Sequence, residues 1–91
     1  MLSITRSNRF VKDLRLAIKR GFDVQKLNEV VSTLASQKKL DPKYKDHPLL
    51  GNYDDFRECH IEPDWLLIYR IDEEELELYL FRTGTHSDLF K

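Results

Sequence analysis

The spacing of the apolar residues changes partway along the chain, and this change limits the folds that are available. Between residues 10 and 34 apolar side chains recur every three or four positions, which is the period of an α-helix. Between residues 56 and 82 they form short continuous runs or alternate with polar residues, as β-strands do. Helical spacing followed by strand spacing in one short chain predicts an α+β fold.

The first half predicts one strand and a helix hairpin. Residues 2–5 alternate between apolar and polar and predict a strand. Ser7 or Asn8 can cap a first helix, Gly21 can end it, and Asp23 can cap a second. The predicted buried stripes are Phe10, Val11, Leu14, Ala17 and Ile18 in the first helix, and Leu27, Val30, Val31 and Leu34 in the second.

The second half predicts a loop and three strands. Prolines and glycine interrupt residues 38–53, which we predict to be a loop. Strands are predicted at 56–61, 65–71 and 76–82, the middle one covered on both faces, and the last with Leu76, Leu78 and Leu80 on one face. Residues 83–86 are predicted to form a polar turn. The predicted fold is therefore α+β: an N-terminal strand and a two-helix hairpin packed on one face of a largely antiparallel sheet that ends in a three-stranded meander.

Composition excludes several classes of protein. The chain has 91 residues, of which 41% are hydrophobic and 34% charged, and this predicts a single globular domain over residues 1–91. The longest apolar run, residues 65–69, is far shorter than the roughly 20 residues of a bilayer span. Cys59 is the one cysteine, and the first residues lack a signal-peptide pattern. We therefore expect a cytoplasmic protein that is neither secreted nor membrane-bound.

Charge is divided unevenly along the sequence. Residues 1–45 contain 11 Lys and Arg against 4 Asp and Glu, whereas residues 46–91 contain 4 against 12. The basic first half can form a surface for phosphates or for an acidic partner. The alternative is that the two halves attract each other or that these charges only solvate two faces of the domain.

Histidines and charged residues of the second half could form an acid–base site. His60, Asp64, Arg82 and His86 could meet at one end of the sheet if the strands are antiparallel neighbours, and His47 lies in the preceding loop. RNA cleavage needs a base for the 2′-hydroxyl, an acid for the leaving 5′-oxygen and a cation for the developing charge. Histidine serves both proton-transfer roles near neutral pH.

Other interpretations of these residues remain open. Each histidine could be an ordinary surface or hydrogen-bonding residue, and Trp65 and Phe90 could be packing residues rather than platforms for RNA bases. The histidines and Asp64 could together bind zinc. However, the sequence has neither a His-x-x-x-His pair nor a Cys-x-x-Cys motif, so we expect no metal site and no cofactor.

Three motifs resemble those of a known family. They are YKDHPL at residues 44–49, FRECHIEPDWLLIY at 56–69 and RTGTHSDLF at 82–90. In this order and at these distances they resemble the YafQ branch of the RelE toxins, over the whole chain. The resemblance implies the toxin of a bacterial type II toxin–antitoxin pair. Such toxins are ribosome-dependent endoribonucleases that cut mRNA in the ribosomal A site and are inhibited by a cognate antitoxin.

The resemblance also implies roles for individual residues. His86 would be the general acid and Arg82 would stabilise phosphate charge, whereas the general base could be His60, Asp64 or His47. Because the 2′-hydroxyl would be the nucleophile, no metal would be required. Substrate contacts are implied for three further residues: Lys45, Trp65 and Phe90.

A second hypothesis belongs to a different class of function. The same scaffold could be a binding module that cleaves nothing, either a ParE-like inhibitor of DNA gyrase or a degenerate toxin that only binds its antitoxin. The histidine set discriminates between the two hypotheses, because a gyrase inhibitor does not need it. Both hypotheses imply a protein partner, and the first adds the ribosome and mRNA.

Overall fold

The first half of the chain forms an edge strand and a helix hairpin, as predicted. The computed structural model describes residues 1–53 and 55–90, with Asn52 described by its backbone only. The Ser7 hydroxyl caps the first helix and the Asp23 carboxylate caps the second, each accepting a backbone N–H of the first turn. The elements are β1 (Ser3–Arg6), α1 (Asn8–Lys19) and α2 (Val24–Ala35).

The second half adds four strands and a short helix. They are β2 (His47–Pro48), β3 (Arg57–Glu62), β4 (Trp65–Asp72), β5 (Glu77–Gly84) and α3 (His86–Leu89), with 3-10 turns at Pro42–Tyr44 and Gly51–Tyr53. The strands form one sheet in the order β1-β5-β4-β3-β2. β1 pairs with β5 in parallel, and the other three described pairs are antiparallel. The α+β fold predicted from the sequence is confirmed.

The core lies between the helix hairpin and one face of the sheet. The central strand β4 is buried from Trp65 to Tyr69, which confirms that it is covered on both faces. Phe10 and Ala17 of α1 and Leu27, Val30 and Leu34 of α2 pack against residues of β3, β4 and β5 in one cluster. The helices α1 and α2 have 12 residues each, well short of the length that a bilayer span requires.

Four local predictions were wrong. Residues 38–53, predicted to be a loop, include the two-residue strand β2, because His47 and Pro48 pair with β3. Ile18 is 53% exposed, because the buried stripe of α1 is narrow and runs through Phe10 and Ala17, one heptad apart. Leu76 is also exposed, since it lies in the turn before β5 with a left-handed φ of 52°. The last strand continues through Thr83 and Gly84, which the sequence analysis placed in a polar turn; both are buried and pair with β4.

Candidate functional site

The three histidines lie next to one another at one end of the sheet. His47 of β2 pairs with Glu58 of β3, His60 follows two residues later on β3, and His86 begins α3. The ring centroids of His47 and His60 are 6.4 Å apart, and those of His60 and His86 are 5.7 Å apart. The strand pairing therefore gathers imidazoles from three elements into one group, called the histidine cluster below.

Asp64 holds His86 in position. Its Oδ1 lies 2.5 Å from Nδ1 of His86 and also accepts the His86 backbone N–H at 2.9 Å. The bonds from the His86 backbone and ring lower the pKa of Asp64 below its ordinary value, so the group is a carboxylate at neutral pH. A carboxylate at Nδ1 assigns the ring proton to that nitrogen, which leaves Nε2 of His86 as the atom that can exchange a proton with a substrate.

The short helix α3 is held in place by Thr85 before it and by Asp88 within it. Thr85 caps it and forms a reciprocal capping box with Asp88. Asp88 also accepts hydrogen bonds of 2.6 and 3.2 Å from Arg20, and these bonds, with those from Thr85, hold its pKa far below the ordinary range. A Cβ at Gly84 would lie 3.0 Å from Cβ and Oδ2 of Asp88, so this close approach requires glycine.

Glu58 is a site residue that the sequence analysis did not select. Its side chain is only 8% exposed, and Oε1 lies 3.2 Å from Nε2 of His47 and 3.6 Å from Nε2 of His60. The spacing Glu-x-His within a predicted strand places Glu58 and His60 on one face, and this was the available signal. The contact with His47 depends on the pairing of β2 with β3, which no local pattern specifies.

The same three residues have the geometry of a metal-binding group. One ligand atom from each of His47, Glu58 and His60 lies within 4.8 Å of the other two. Two imidazoles and a carboxylate suit Zn²⁺ or Cu²⁺, and three protein ligands leave a position for water or substrate. Metal binding was not expected from the sequence, because it has neither a His-x-x-x-His pair nor a Cys-x-x-Cys motif, and the group found here includes Glu58 in place of Asp64 and His86.

Arg82 forms an ion pair with α1, and its expected role in stabilising phosphate charge stays a prediction. Its Nε and Nη2 donate to the Asp13 carboxylate of α1 at 2.7 and 3.1 Å, and both side chains are mostly buried. Asp13 also accepts the backbone N–H of Thr83 and raises the pKa of Arg82. In this structure the Arg82 charge is neutralised by α1 instead of facing the histidine cluster.

The expected substrate-contacting residues differ in their exposure. Trp65 is 1% exposed, donates from Nε1 to the Thr83 hydroxyl at 2.9 Å and packs against Phe22, so it is a core residue. Phe90, by contrast, is 43% exposed directly after α3. Lys45 is exposed beside His47 and has a left-handed φ of 49° at the end of a 3-10 turn. Lys45 is thus accessible beside the cluster, Phe90 is accessible after α3 with its ring next to that of Tyr53, and Trp65 is buried.

Comparison with known proteins points to one family. The sequence pattern of the family described as "Bacterial toxin of type II toxin-antitoxin system, YafQ" matches residues 2–91. The chain is 42% identical to "mRNA interferase toxin YafQ" of Escherichia coli (strain K12), over 92% of this chain and 90% of that protein.

Solved structures give the same result. A metal-bound toxin from Helicobacter pylori is 53% identical and superposes with a TM-score of 0.94, over 99% of this chain and all of that one. YafQ in the Escherichia coli DinJ–YafQ complex is 40% identical with a TM-score of 0.90, and each chain covers all of the other. Both similarities extend over the whole fold, including the elements that carry the histidine cluster.

Proposed function

This chain belongs to the YafQ family, the bacterial toxins of type II toxin–antitoxin systems, and from that membership we propose that it is an mRNA interferase. One observation carries the proposal: the rings of His60 and His86 lie 5.7 Å apart, and an ionised Asp64 orients His86. Two imidazoles at this separation can serve the attacking and the leaving oxygen of one phosphodiester. A gyrase inhibitor has no use for such an arrangement, and an assay of mRNA cleavage distinguishes the nuclease from a degenerate toxin that only binds its antitoxin.

The proposed reaction is an acid–base transfer within the RNA. A base takes the proton of the 2′-hydroxyl, the 2′-oxygen bonds to phosphorus, and the bond from phosphorus to the 5′-oxygen breaks. His86 donates the proton that the leaving 5′-oxygen takes up. The products are a 2′,3′-cyclic phosphate and a 5′-hydroxyl, and the proton balance closes without a metal ion.

We propose a general base from the contacts of Asp64, His47 and His60. Asp64 is occupied by two hydrogen bonds to His86, which makes it an orienting group rather than a base. His60 lies between His47 and His86, and the buried Glu58 carboxylate contacts both His47 and His60. We assign the base to this His47–Glu58–His60 group, with His60 as its member nearest to the acid.

We propose that cleavage depends on the ribosome, and the distribution of charge on this chain supports that proposal. The net charge is −1, so attraction to free RNA is weak, although Lys12, Arg15 and Lys19 form an exposed basic face on α1. The ribosome would bind such a local basic surface and would present mRNA in an extended form in its A site. The toxin would then act in the cytoplasm, where translation occurs.

An antitoxin is the second proposed partner. The relative from Escherichia coli has been solved in complex with DinJ. By analogy, we propose that a cognate antitoxin binds this chain and blocks access to the histidine cluster. Co-expression of a cognate antitoxin should then relieve the growth arrest that the toxin causes.

Cleavage of a translated message tests the proposal. The purified protein should produce new 5′ ends in an mRNA within an active translation system and leave the same mRNA intact without ribosomes. Primer extension detects the ends, and the released fragments should carry a cyclic phosphate. Equal cleavage with and without ribosomes would refute ribosome dependence, and intact mRNA in both reactions would refute the nuclease proposal.

Zinc should inhibit this reaction instead of supporting it. Zn²⁺ bound by His47, Glu58 and His60 would occupy the groups assigned to proton transfer, and the Helicobacter pylori relative was solved with bound metal. We expect stoichiometric Zn²⁺ to slow cleavage at least about tenfold, and EDTA equimolar to that zinc, which leaves the Mg²⁺ of the translation system free, to restore the original rate. Mg²⁺ is the control, because it prefers six oxygen ligands and should not inhibit at the same concentration.

One outcome of the zinc experiment would contradict the proposed mechanism. If EDTA at this low concentration, well below that of Mg²⁺, abolished cleavage and Zn²⁺ restored it, the reaction would be zinc-dependent and the proposed proton transfers would be wrong. Calorimetric titration of wild type and His47→Gln shows whether Zn²⁺ binds at this group. The variant should bind Zn²⁺ at least about tenfold more weakly.

A further inference from the structure

A cavity of about 470 Å³ opens beside the histidine cluster. It lies between α2, the 3-10 turn at Pro42–Tyr44 and the end of β3, and its walls include Glu29, Lys43, Tyr44, Lys45 and His60. Its volume lies within the range of small-molecule sites. Because His60 belongs both to its wall and to the histidine cluster, a ligand in the cavity would lie next to the groups proposed to transfer protons.

The wall formed by the 3-10 turn carries positive charge. Lys43 and Lys45 are both exposed, and Nζ of Lys43 lies 5.1 Å from the centre of the Tyr44 ring. A cation over an aromatic face is attracted to it, so Tyr44 helps to keep the Lys43 charge at the cavity rim. Tyr44 is itself partly buried against the core, which gives this wall a fixed support. Two ammonium groups at a rim next to His60 suit the phosphates of a nucleic acid strand.

The wall formed by α2 carries a carboxylate. Glu62 is paired with Lys26, and this contact raises the pKa of Lys26. For Glu29, in contrast, the described part of the chain provides no side-chain hydrogen bond or salt bridge, and its carboxylate is exposed. Although Glu29 also contributes to the raised pKa of Lys26, a ligand that is negative toward the lysines and offers hydrogen-bond donors toward Glu29 would suit this cavity. A nucleotide meets both requirements, since its phosphate is an anion and base edges present amino or imino N–H groups.

We propose that this cavity is a substrate subsite that holds one unpaired nucleotide of the RNA next to the scissile phosphate. Lys43 and Lys45 bind the backbone phosphate and supply affinity without regard to sequence. Glu29 accepts a hydrogen bond from the base and thereby selects among cleavage sites. This inference rests on the proposed ribonuclease function, and it adds Glu29 as a residue that selects the base at the cleavage site.

The Glu29→Gln variant tests the selection of bases. A carboxylate only accepts hydrogen bonds, whereas the amide of nearly equal size also donates, so bases that present an acceptor should become tolerated. We expect the distribution of cleavage sites along a translated message to change, with individual sites shifting about tenfold or more relative to each other. Glu73→Gln is the matched control, because Glu73 is exposed in the turn between β4 and β5, and it should give the wild-type pattern.

The Lys43→Gln/Lys45→Gln variant tests the phosphate contacts. It should lower cleavage at all sites by about tenfold without changing their relative use, and the loss should diminish at high salt. Lys38→Gln/Lys39→Gln removes the same charge from residues outside this cavity and is the matched control. An unchanged site distribution in Glu29→Gln, or an unchanged rate in the Lys43/Lys45 variant, would overturn the subsite.

Direct binding separates failure of the subsite from failure of the proposed function. Uncleavable 2′-O-methyl trinucleotides of A, C, G and U are titrated into ¹⁵N-labelled wild-type protein. We expect at least one of them to shift the amide signals of Glu29, Tyr44 and Lys45, and Glu29→Gln to change which one binds best. Shifts without any cleavage would refute the nuclease and keep the nucleotide site, whereas cleavage without shifts at these residues would refute the site alone.

Discussion

Replacing His86 by alanine should lower the rate of mRNA cleavage by about 10²- to 10⁴-fold and leave the protein folded. The large effect is expected because the leaving 5′-oxygen must take up a proton as its bond to phosphorus breaks. Nε2 of His86 is positioned to supply that proton, since Asp64 binds Nδ1 of the same ring. The rate is measured by primer extension in a translation system, and growth arrest on induced expression provides a second readout.

The fold should tolerate this substitution. The His86 side chain is 53% exposed, and the Thr85 cap and the backbone bond from His86 to Asp64 do not need the imidazole. Ser87→Ala is the control, because Ser87 is an exposed neighbour in the same short helix and should retain full activity. A folded His86→Ala protein that still arrests growth and cleaves at the wild-type rate would remove His86 from the mechanism.

The sequence predicted those features of the fold that depend on neighbouring residues. Ser7, Asp23 and the buried stripe of α2 specify the helix hairpin through interactions within about two turns, so they could be recognised locally. The uniformly apolar stretch from Trp65 to Tyr69 identified the central strand for the same reason. The end of β5 was predicted too early, because Thr83 looks polar in sequence. Its hydroxyl is nevertheless satisfied inside the core by bonds to Trp65 and Leu66.

The residue types of the site could be predicted from the sequence, but the contacts between its side chains could be predicted only in part. The convergence of His60, Asp64 and His86 was expected from antiparallel neighbours, and the structure brings these residues together. The contact between Glu58 and His47 and the ion pair between Asp13 and Arg82 connect distant parts of the chain. Such contacts depend on strand order and on the packing of α1 against β5, which local patterns do not encode. From the sequence alone, Arg82 was therefore predicted to bind phosphate, because its ion pair with Asp13 of α1 could not be predicted.

Replacing Trp65 by alanine should destabilise the protein by about 3–5 kcal/mol. The indole is 1% exposed, its ring centre lies 5.0 Å from that of Phe22, and its N–H donates to the Thr83 hydroxyl. Deleting it leaves a cavity next to Phe22, in the turn between α1 and α2, and removes a buried hydrogen bond that solvent cannot replace. For a domain of this size the melting temperature should fall by more than about 10 °C. Unfolding should be followed by circular dichroism, because Trp65 is the one tryptophan and its replacement removes the tryptophan fluorescence.

Two further variants distinguish a packing role of Trp65 from contact with RNA. Trp65→Phe keeps most of the apolar volume, so it should recover much of the stability and cleave at nearly the wild-type rate at a temperature where it is folded. Phe90→Ala is the control for loss of an aromatic ring, because Phe90 is 43% exposed, and it should cost less than about 1 kcal/mol. If Trp65→Ala kept the wild-type melting temperature but lost cleavage, Trp65 would be a substrate contact, and the burial of its ring in this structure would have to be relieved when RNA binds.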